Sequence, residues 1–427
     1  MLKKISHKLY TLLRWSEKYT KTDMVYLAKG GFWLTLGQIA TTLIGFGLAI
    51  AFAYYLPKDI YGQYKYVLSV FGILTIATLP GMDTAVIRSV AMGYEGSFFS
   101  ALKNKIKWGI VGSLGALLVA TYYFIQNNNY LALSFLVVAI FTPLTDSLAL
   151  CQSYFNGAKR FDKLTKHMTI VRLVSGLSTL ITIYFTDNIF WILISFFAPL
   201  VIVRYIYLII IKIKYKPNDK TDDQVIKYGQ HLSLLNIITT VGNQLDKILI
   251  FQFIGAQELA VYSLAMAPLE QIKSLLKPLN TLALPKFANK NLAEIKTNIF
   301  KKTALLTLML LVVAVVYIIV APLLFKLAFP KYIEAIPYTQ ILAISILSFP
   351  VFALLSIFEG QKMIKEIYKF RITSGLVQIV ITFLLIFYFG FMGAILSRII
   401  IRFFNLIFSL LLLKKSSNTN PADSLSA

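Results

Sequence analysis

The sequence predicts an all-α polytopic membrane protein of about 12 transmembrane helices, built as two parallel six-helix repeats around a central cleft. Three observations carry this. The 427-residue chain is 57% hydrophobic, with a mean hydropathy of +0.71, which is too apolar for a soluble protein of its size. Its apolar residues form continuous blocks of about twenty, the length a helix needs to cross a bilayer, and do not alternate as barrel strands do. Finally, a shift of 198 residues lays Lys29 on Lys227, Tyr64 on Tyr262, Pro80 on Pro278, Arg88 on Lys286 and Arg204 on Arg402. An even number of spans per half makes such a repeat parallel, with its axis along the membrane normal.

Residues 1–28 come first. Ile5, Leu9, Leu12 and Leu13 recur at helical spacing among Lys3, Lys4, Lys8 and Arg14, the pattern of an amphipathic helix on an anionic membrane face. The first bundle is expected over 29–211, with spans at 31–55, 64–89, 106–125, 130–152, 168–186 and 189–211. A basic linker covers 212–227. The second bundle follows over 228–413, with spans at 229–254, 260–285, 303–325, 336–358, 371–389 and 391–413, then a polar tail at 414–427. Most of the 42 lysines and arginines fall on one side of this plan: the N-terminal segment, the connections near 88–107, 159–172, 212–227, 286–302 and 362–371, and Lys414 and Lys415. The other side has short loops and only Lys58, Lys65, Lys326 and Lys331. The positive-inside rule then places both termini in the cytoplasm, and accounts for most of the net charge of +23 without a nucleic-acid partner. No cleavable leader is expected. One cysteine, Cys151, excludes an internal disulfide; His7, His167 and His231 form no metal cluster; and no nucleotide-binding glycine loop is present. No cofactor is expected.

Function is read from charges inside the spans. A charge at bilayer depth costs at least about 2.5–3.5 kcal/mol, so it is rarely left facing lipid. Glu270, Lys273 and Lys277 share one face of the span at 260–285, which Pro268 and Pro278 are expected to kink. Lys273, Lys277 and Arg398 are the cations furthest from an easy route to the surface and are expected to line the cleft; a Glu270–Lys273 pair that only locks helices is the plainer reading. Arg402 lies one turn from Arg398, and Arg402 and Arg204 could snorkel to the cytoplasmic surface. Asp83 and Arg88 follow the Pro80-Gly81 break and could pair, or Arg88 could meet an anionic substrate on entry. Asp246 and Lys247 are adjacent and must point in different directions, Asp246 toward another helix. Asp146, after Pro143, is a candidate for ion coupling or a buried hydrogen-bonded carboxylate.

Three stretches resemble the polysaccharide-unit flippases of the multidrug/oligosaccharidyl-lipid/polysaccharide (MOP) exporter superfamily: LPKDIYGQYKYVLSV at 56–70, LPGMDTAVIRSVA at 79–91 and DKILIFQFIGAQELAVYSLAMAPLEQI at 246–272. Ala260 stands where relatives often have glycine. The resemblance implies alternating access that carries an undecaprenyl-diphosphate-linked oligosaccharide from the inner to the outer leaflet of the cytoplasmic membrane, beside polysaccharide assembly proteins and without enzymatic activity. Its substrate-binding candidates are Lys273, Lys277, Arg398, Arg402, Arg204 and Arg88; Glu270, Asp83, Asp146, Asp246 and Lys247 are candidates for coupling or structural ion pairs. A multidrug antiporter would want an acid in the first span, and 31–55 has none; a polymerase or ligase would want a large outer loop.

Overall fold

A computed structural model describes residues 24–288, 292–361 and 363–416, and among them every regular element is helical. Span one is Met24–Tyr55. Span two is Lys58–Leu74, a 3-10 turn at Thr75–Thr78 and then Met82–Ala91, bent by 51° at the break. Span three is Ser97–Ile125. Span four runs through Asn129–Leu148 and Leu150–Gly157, span five is Phe161–Phe185, and span six is Ile189–Ile210. Spans seven, eight and nine are Val225–Phe253, Ala256–Ala288 and Leu292–Ala328. Span ten comes in short pieces over Pro330–Gly360. Spans eleven and twelve form one 52-residue stretch, Ile364–Lys415, which turns back at Gly390, where φ is 55°. Eight helices are long and apolar enough to cross a membrane alone, or nine with the bent pair joined. Spans seven and eight are less apolar, with Gln230, His231, Asn236, Asn243, Gln244, Asp246 and Lys247 in one and Glu270, Gln271 and Lys273 in the other. With Ile364–Lys415 divided at its turn, the expected twelve are present.

The helices turn their apolar side chains outward. Leu118, Ile125, Phe185, Ile319 and Leu327 are each more than two-thirds exposed, an arrangement stable only against lipid. Packing follows the repeat. Span one packs on five and five on six; span seven packs on the 364–415 stretch. Spans three and four pair, as do nine and ten. The halves meet through spans one and two against seven and eight: one lies on eight, two on seven, and two and eight face each other. At that last crossing Gly62 touches the Ala256 carbonyl so closely that a Cβ would sit 1.8 Å from its oxygen, so only glycine fits. The broken fourth span recurs too, as a 3-10 stretch at Ile344–Ser348 in span ten.

The short-loop end is closed by contacts between the halves. Lys58 Nζ lies 2.6 Å from Glu334 Oε1, Lys331 Nζ donates to the Tyr54 carbonyl at 2.6 Å, and Gln257 Nε2 donates to Asp59 Oδ2 at 3.0 Å. Phe46 packs edge-on against Phe329 beneath them. At the basic end the halves touch where the Gly81 amide donates to Ser233 Oγ at 2.9 Å.

Several boundaries shift. Span two starts at Lys58 and span three at Ser97, so Lys65 and Lys105 lie inside helices and not in loops. Span six continues as a π turn to Tyr215, and span seven starts at Val225, which shortens the linker to 216–224. That linker is tied to the first half: Ser89 Oγ donates to Asp222 Oδ2 at 2.9 Å, and the Asn218 side chain donates to the Gly93 carbonyl at 3.0 Å. Span eight runs unbroken through Pro268 and Pro278. The break falls in span two, where Leu79 is left-handed (φ 59°) just before Pro80. The expected amphipathic segment and polar tail lie almost entirely outside the described residues.

The closed short-loop end is testable. With Cys151→Ala as background, Lys58→Cys and Glu334→Cys together should form a disulfide in membranes on mild oxidation, seen as a mobility shift. Absence of the cross-link would mean that the two loops lie apart.

Candidate functional site

In the second half, acids and cations form two neighbouring clusters beside one cavity. Asp246, on span seven, is 1% exposed and takes Arg398 Nη2 at 2.6 Å and Nε at 2.7 Å. The Tyr262 hydroxyl donates to the same carboxylate, and Arg398 also donates to the Asn243 carbonyl at 3.2 Å. One turn along, Arg402 binds Glu270 at 2.7 Å and Ser345 Oγ at 2.6 Å, while Lys273 reaches Glu270 at 3.3 Å. Lys273, Arg398 and Arg402 border a cavity of about 140 Å³ with Asn243, Gln378 and Asn405, all from the second half. The sequence expectation put Lys273 and Arg398 on the cleft between the halves. Here they face this internal cavity, because Asp246 and Glu270 draw the guanidinium and ammonium groups inward. Arg402 does not snorkel, held as it is by Glu270 and Ser345. Lys247 points away from Asp246 and donates to Gln244 Oε1 at 3.0 Å. The Lys277 side chain lies outside the described residues.

The first half carries a second buried cluster. Lys105 is fully buried and lies 3.1 Å from Asp83 and 3.0 Å from Asp146. Thr78, at the break of span two, donates to Asp146. Arg204 donates to the carbonyl of Thr145, the neighbour of Asp146, and so is anchored in the bundle, not at the surface. The suggested Asp83–Arg88 pair is not formed. Five residues apart on a helix, the two point to different sides, and Arg88 lies over the Tyr228 ring, 5.2 Å from its centroid. Sequence reasoning missed Lys105 by starting span three at 106. The signal was present: Ala101, Lys105, Gly109, Gly112 and Ala116 share one buried, mostly small-residue face.

The third feature is a cavity of about 370 Å³ between the halves. Arg172 and Arg204 line it from spans five and six, Gln38, Thr41 and Thr42 from span one, Gln152 from span four, and Gln271 and Ser274 from span eight; no acid lines it. Arg172, counted with a basic loop in the sequence, sits well inside span five. Gly45 leaves room for its guanidinium, which lies 3.1 Å from where a Cβ would be. Arg172 has no ion pair or hydrogen bond to another described residue. Among the described residues no group of His, Cys, Asp and Glu could hold a metal ion.

The whole chain superposes on known transporters. Against a crystal structure of MATE in complex with MaD5 the TM-score is 0.64 at 11% identity, covering 92% of this chain and 97% of that one. Against an outward-facing multidrug resistance MATE family transporter it is 0.64 at 14% identity, covering 92% and 97%. A MOP superfamily transporter from Pyrococcus furiosus gives 0.63 at 12% identity, covering 92% and 96%. The protein is thus a multi-pass membrane protein with the fold of the MOP-superfamily transporters. Residues 27–291 match the model of the family described as polysaccharide biosynthesis protein, and the chain belongs to that family. Comparison with the curated proteins gave no match.

Removing Lys105 leaves two buried carboxylates without their cation, which costs about 3–5 kcal/mol for a broken buried pair. Lys105→Met should therefore lower the melting temperature in detergent sharply. Adding Asp83→Asn and Asp146→Asn should recover most of the loss. A Lys105→Met protein as stable as the parent would show that the cluster is not a structural clasp.

Proposed function

We propose that the protein is a flippase that carries an undecaprenyl-diphosphate-linked oligosaccharide from the inner to the outer leaflet of the cytoplasmic membrane by alternating access of its halves. The observation that carries this reading is the cavity between the halves, lined by Arg204 and by an Arg172 guanidinium without an ion pair among the described residues, and with no carboxylate in its described lining. A diphosphate needs fixed positive charge to enter a medium of low dielectric. At an effective dielectric of about 20, a unit pair at 4 Å gains about 4 kcal/mol, comparable to the insertion cost of one charge. Arginine adds bidentate hydrogen bonding to phosphate oxygens. The lipid tail stays in the bilayer.

The rest of the charge follows from this assignment. Arg88, at the basic end of span two, receives the diphosphate on entry. Lys273, Arg398 and Arg402 form a second cationic station, offset by Asp246 and Glu270 so that the bundle stays stable when empty. A cation exporter would need the opposite lining; for the Pyrococcus furiosus transporter, reverse polarity of the binding pocket suggests a different function. The basic loops face the cytoplasm, and no catalytic step is assigned.

Two measurements check this. In a strain lacking its own flippase, Arg172→Ala should cut surface polysaccharide at least about tenfold with protein level unchanged, and Arg172→Lys should retain more than Arg172→Gln; full export by Arg172→Ala would sink the cationic-cavity reading. For topology, cysteines at Asn128 and Gln257 should react with an impermeant thiol reagent from outside, whereas labelling at Asp219 would invert the orientation.

A further inference from the structure

Two glutamines in the cavity between the halves have unused amides. The side chains of Gln152 and Gln271 make no hydrogen bond to another described residue, although both are half-buried. Gln38, across the same cavity, reaches only Thr42 Oγ1, at 3.3 Å. Both amides open onto the cavity, so a ligand or water entering it can complete their hydrogen bonding. A primary amide offers two donors and two acceptor lone pairs at once, and this neutral, two-way chemistry suits hydroxyl and acetamido groups. Phosphate oxygens only accept, so they would use the amide N–H groups and leave its acceptor oxygen idle, whereas a hydroxyl or acetamido group uses both. The cavity therefore has an anion-binding part and a neutral hydrogen-bonding part side by side. Gln152 belongs to the first half and Gln271 to the second. On span eight, Gln271 and Ser274 face this cavity, while Lys273 faces the cavity inside the second half. The helix thus separates neutral recognition from charge.

We propose that Gln152 and Gln271 read the sugar residue attached to the diphosphate, one amide from each half, and so determine which lipid-linked glycan is accepted. This rests on the flippase reading above and adds to it the residues that set specificity. A sugar bridging both amides is sensed only when the halves are correctly placed about it. A glycan lacking the matching groups leaves both amides unpaired and is rejected, as sites built to hydrogen-bond a substrate reject analogues lacking the group.

The test uses the full-length protein in detergent and two probes, undecaprenyl diphosphate bare and bearing one N-acetylhexosamine, with affinity read from ligand-induced thermal shifts. Methionine keeps the length of glutamine without its amide. The parent should bind the sugar-bearing lipid more tightly. Gln152→Met and Gln271→Met should each weaken that binding about tenfold, equivalent to 1.4 kcal/mol, and leave the bare lipid unaffected, which also shows that the variants are folded. Arg172→Ala should weaken both probes. Equal affinity of the parent for the two probes, glutamine variants unchanged toward the sugar-bearing lipid, or equal losses for both probes would each overturn the sugar assignment. If Arg172→Ala leaves both affinities intact while the glutamine variants still discriminate, the anion reading fails and the sugar assignment stands.

Discussion

The constraint on which this structure depends is the cost of holding charge at bilayer depth. Four acids well inside the spans are each met by a cation: Asp246 by Arg398, Glu270 by Arg402 and Lys273, and Asp83 and Asp146 jointly by Lys105. These are interhelical ties, and together they choose which faces turn inward on spans two, three, four, seven, eight and twelve. What remains after the pairing is positive, and it sits where the halves meet. A net cationic cleft is therefore not an isolated patch. It is the residue of a charge balance that the bundle must satisfy before it can insert.

That balance links the cavity between the halves to the breaks in the helices. Asp146 is tied to Thr78 at the break of span two, and the same break places Gly81 against Ser233 of the other half. Arg204 shares the cavity with Arg172 and holds the backbone next to Asp146. Its repeat counterpart, Arg402, holds the equivalent break in span ten through Ser345. In both halves, then, an arginine on the last span grips the discontinuity of the fourth. In the flippase reading proposed above, substrate charge and helix geometry meet at the same side chains.

Much of this was legible in the sequence. Continuous apolar blocks gave the spans, and the shift that lays Arg204 on Arg402 gave the repeat. The missed residues share a physical cause. Lysine and arginine lower local hydropathy, so a helix carrying one near its end is read as starting after it, as at Lys105, and Lys65 and Arg172, near the starts of the expected spans 64–89 and 168–186, are counted with the loops. Tertiary pairing was the other blind spot. Asp83 could be matched by eye only with a neighbour such as Arg88, whereas its partner lies on the next span. Proline also misled: span eight absorbs Pro268 and Pro278 without a break, and span two yields at Pro80, where glycine follows directly.

The hydrogen bond between Asp59 and Gln257 has a wider implication. These residues occupy equivalent positions in the two repeats, so the bond crosses the pseudo-twofold axis itself. A symmetric dimer of one six-span unit would have to place two copies of the same side chain there. Two aspartates would repel, and two glutamines would replace the carboxylate that accepts from Gln257 by a neutral amide. Joining both units in one polypeptide removes that restriction, because each side of the axis can then mutate alone. The Asp–Gln contact is thus a chemical record of lost symmetry: an arrangement open to a fused chain and closed to its unfused equivalent.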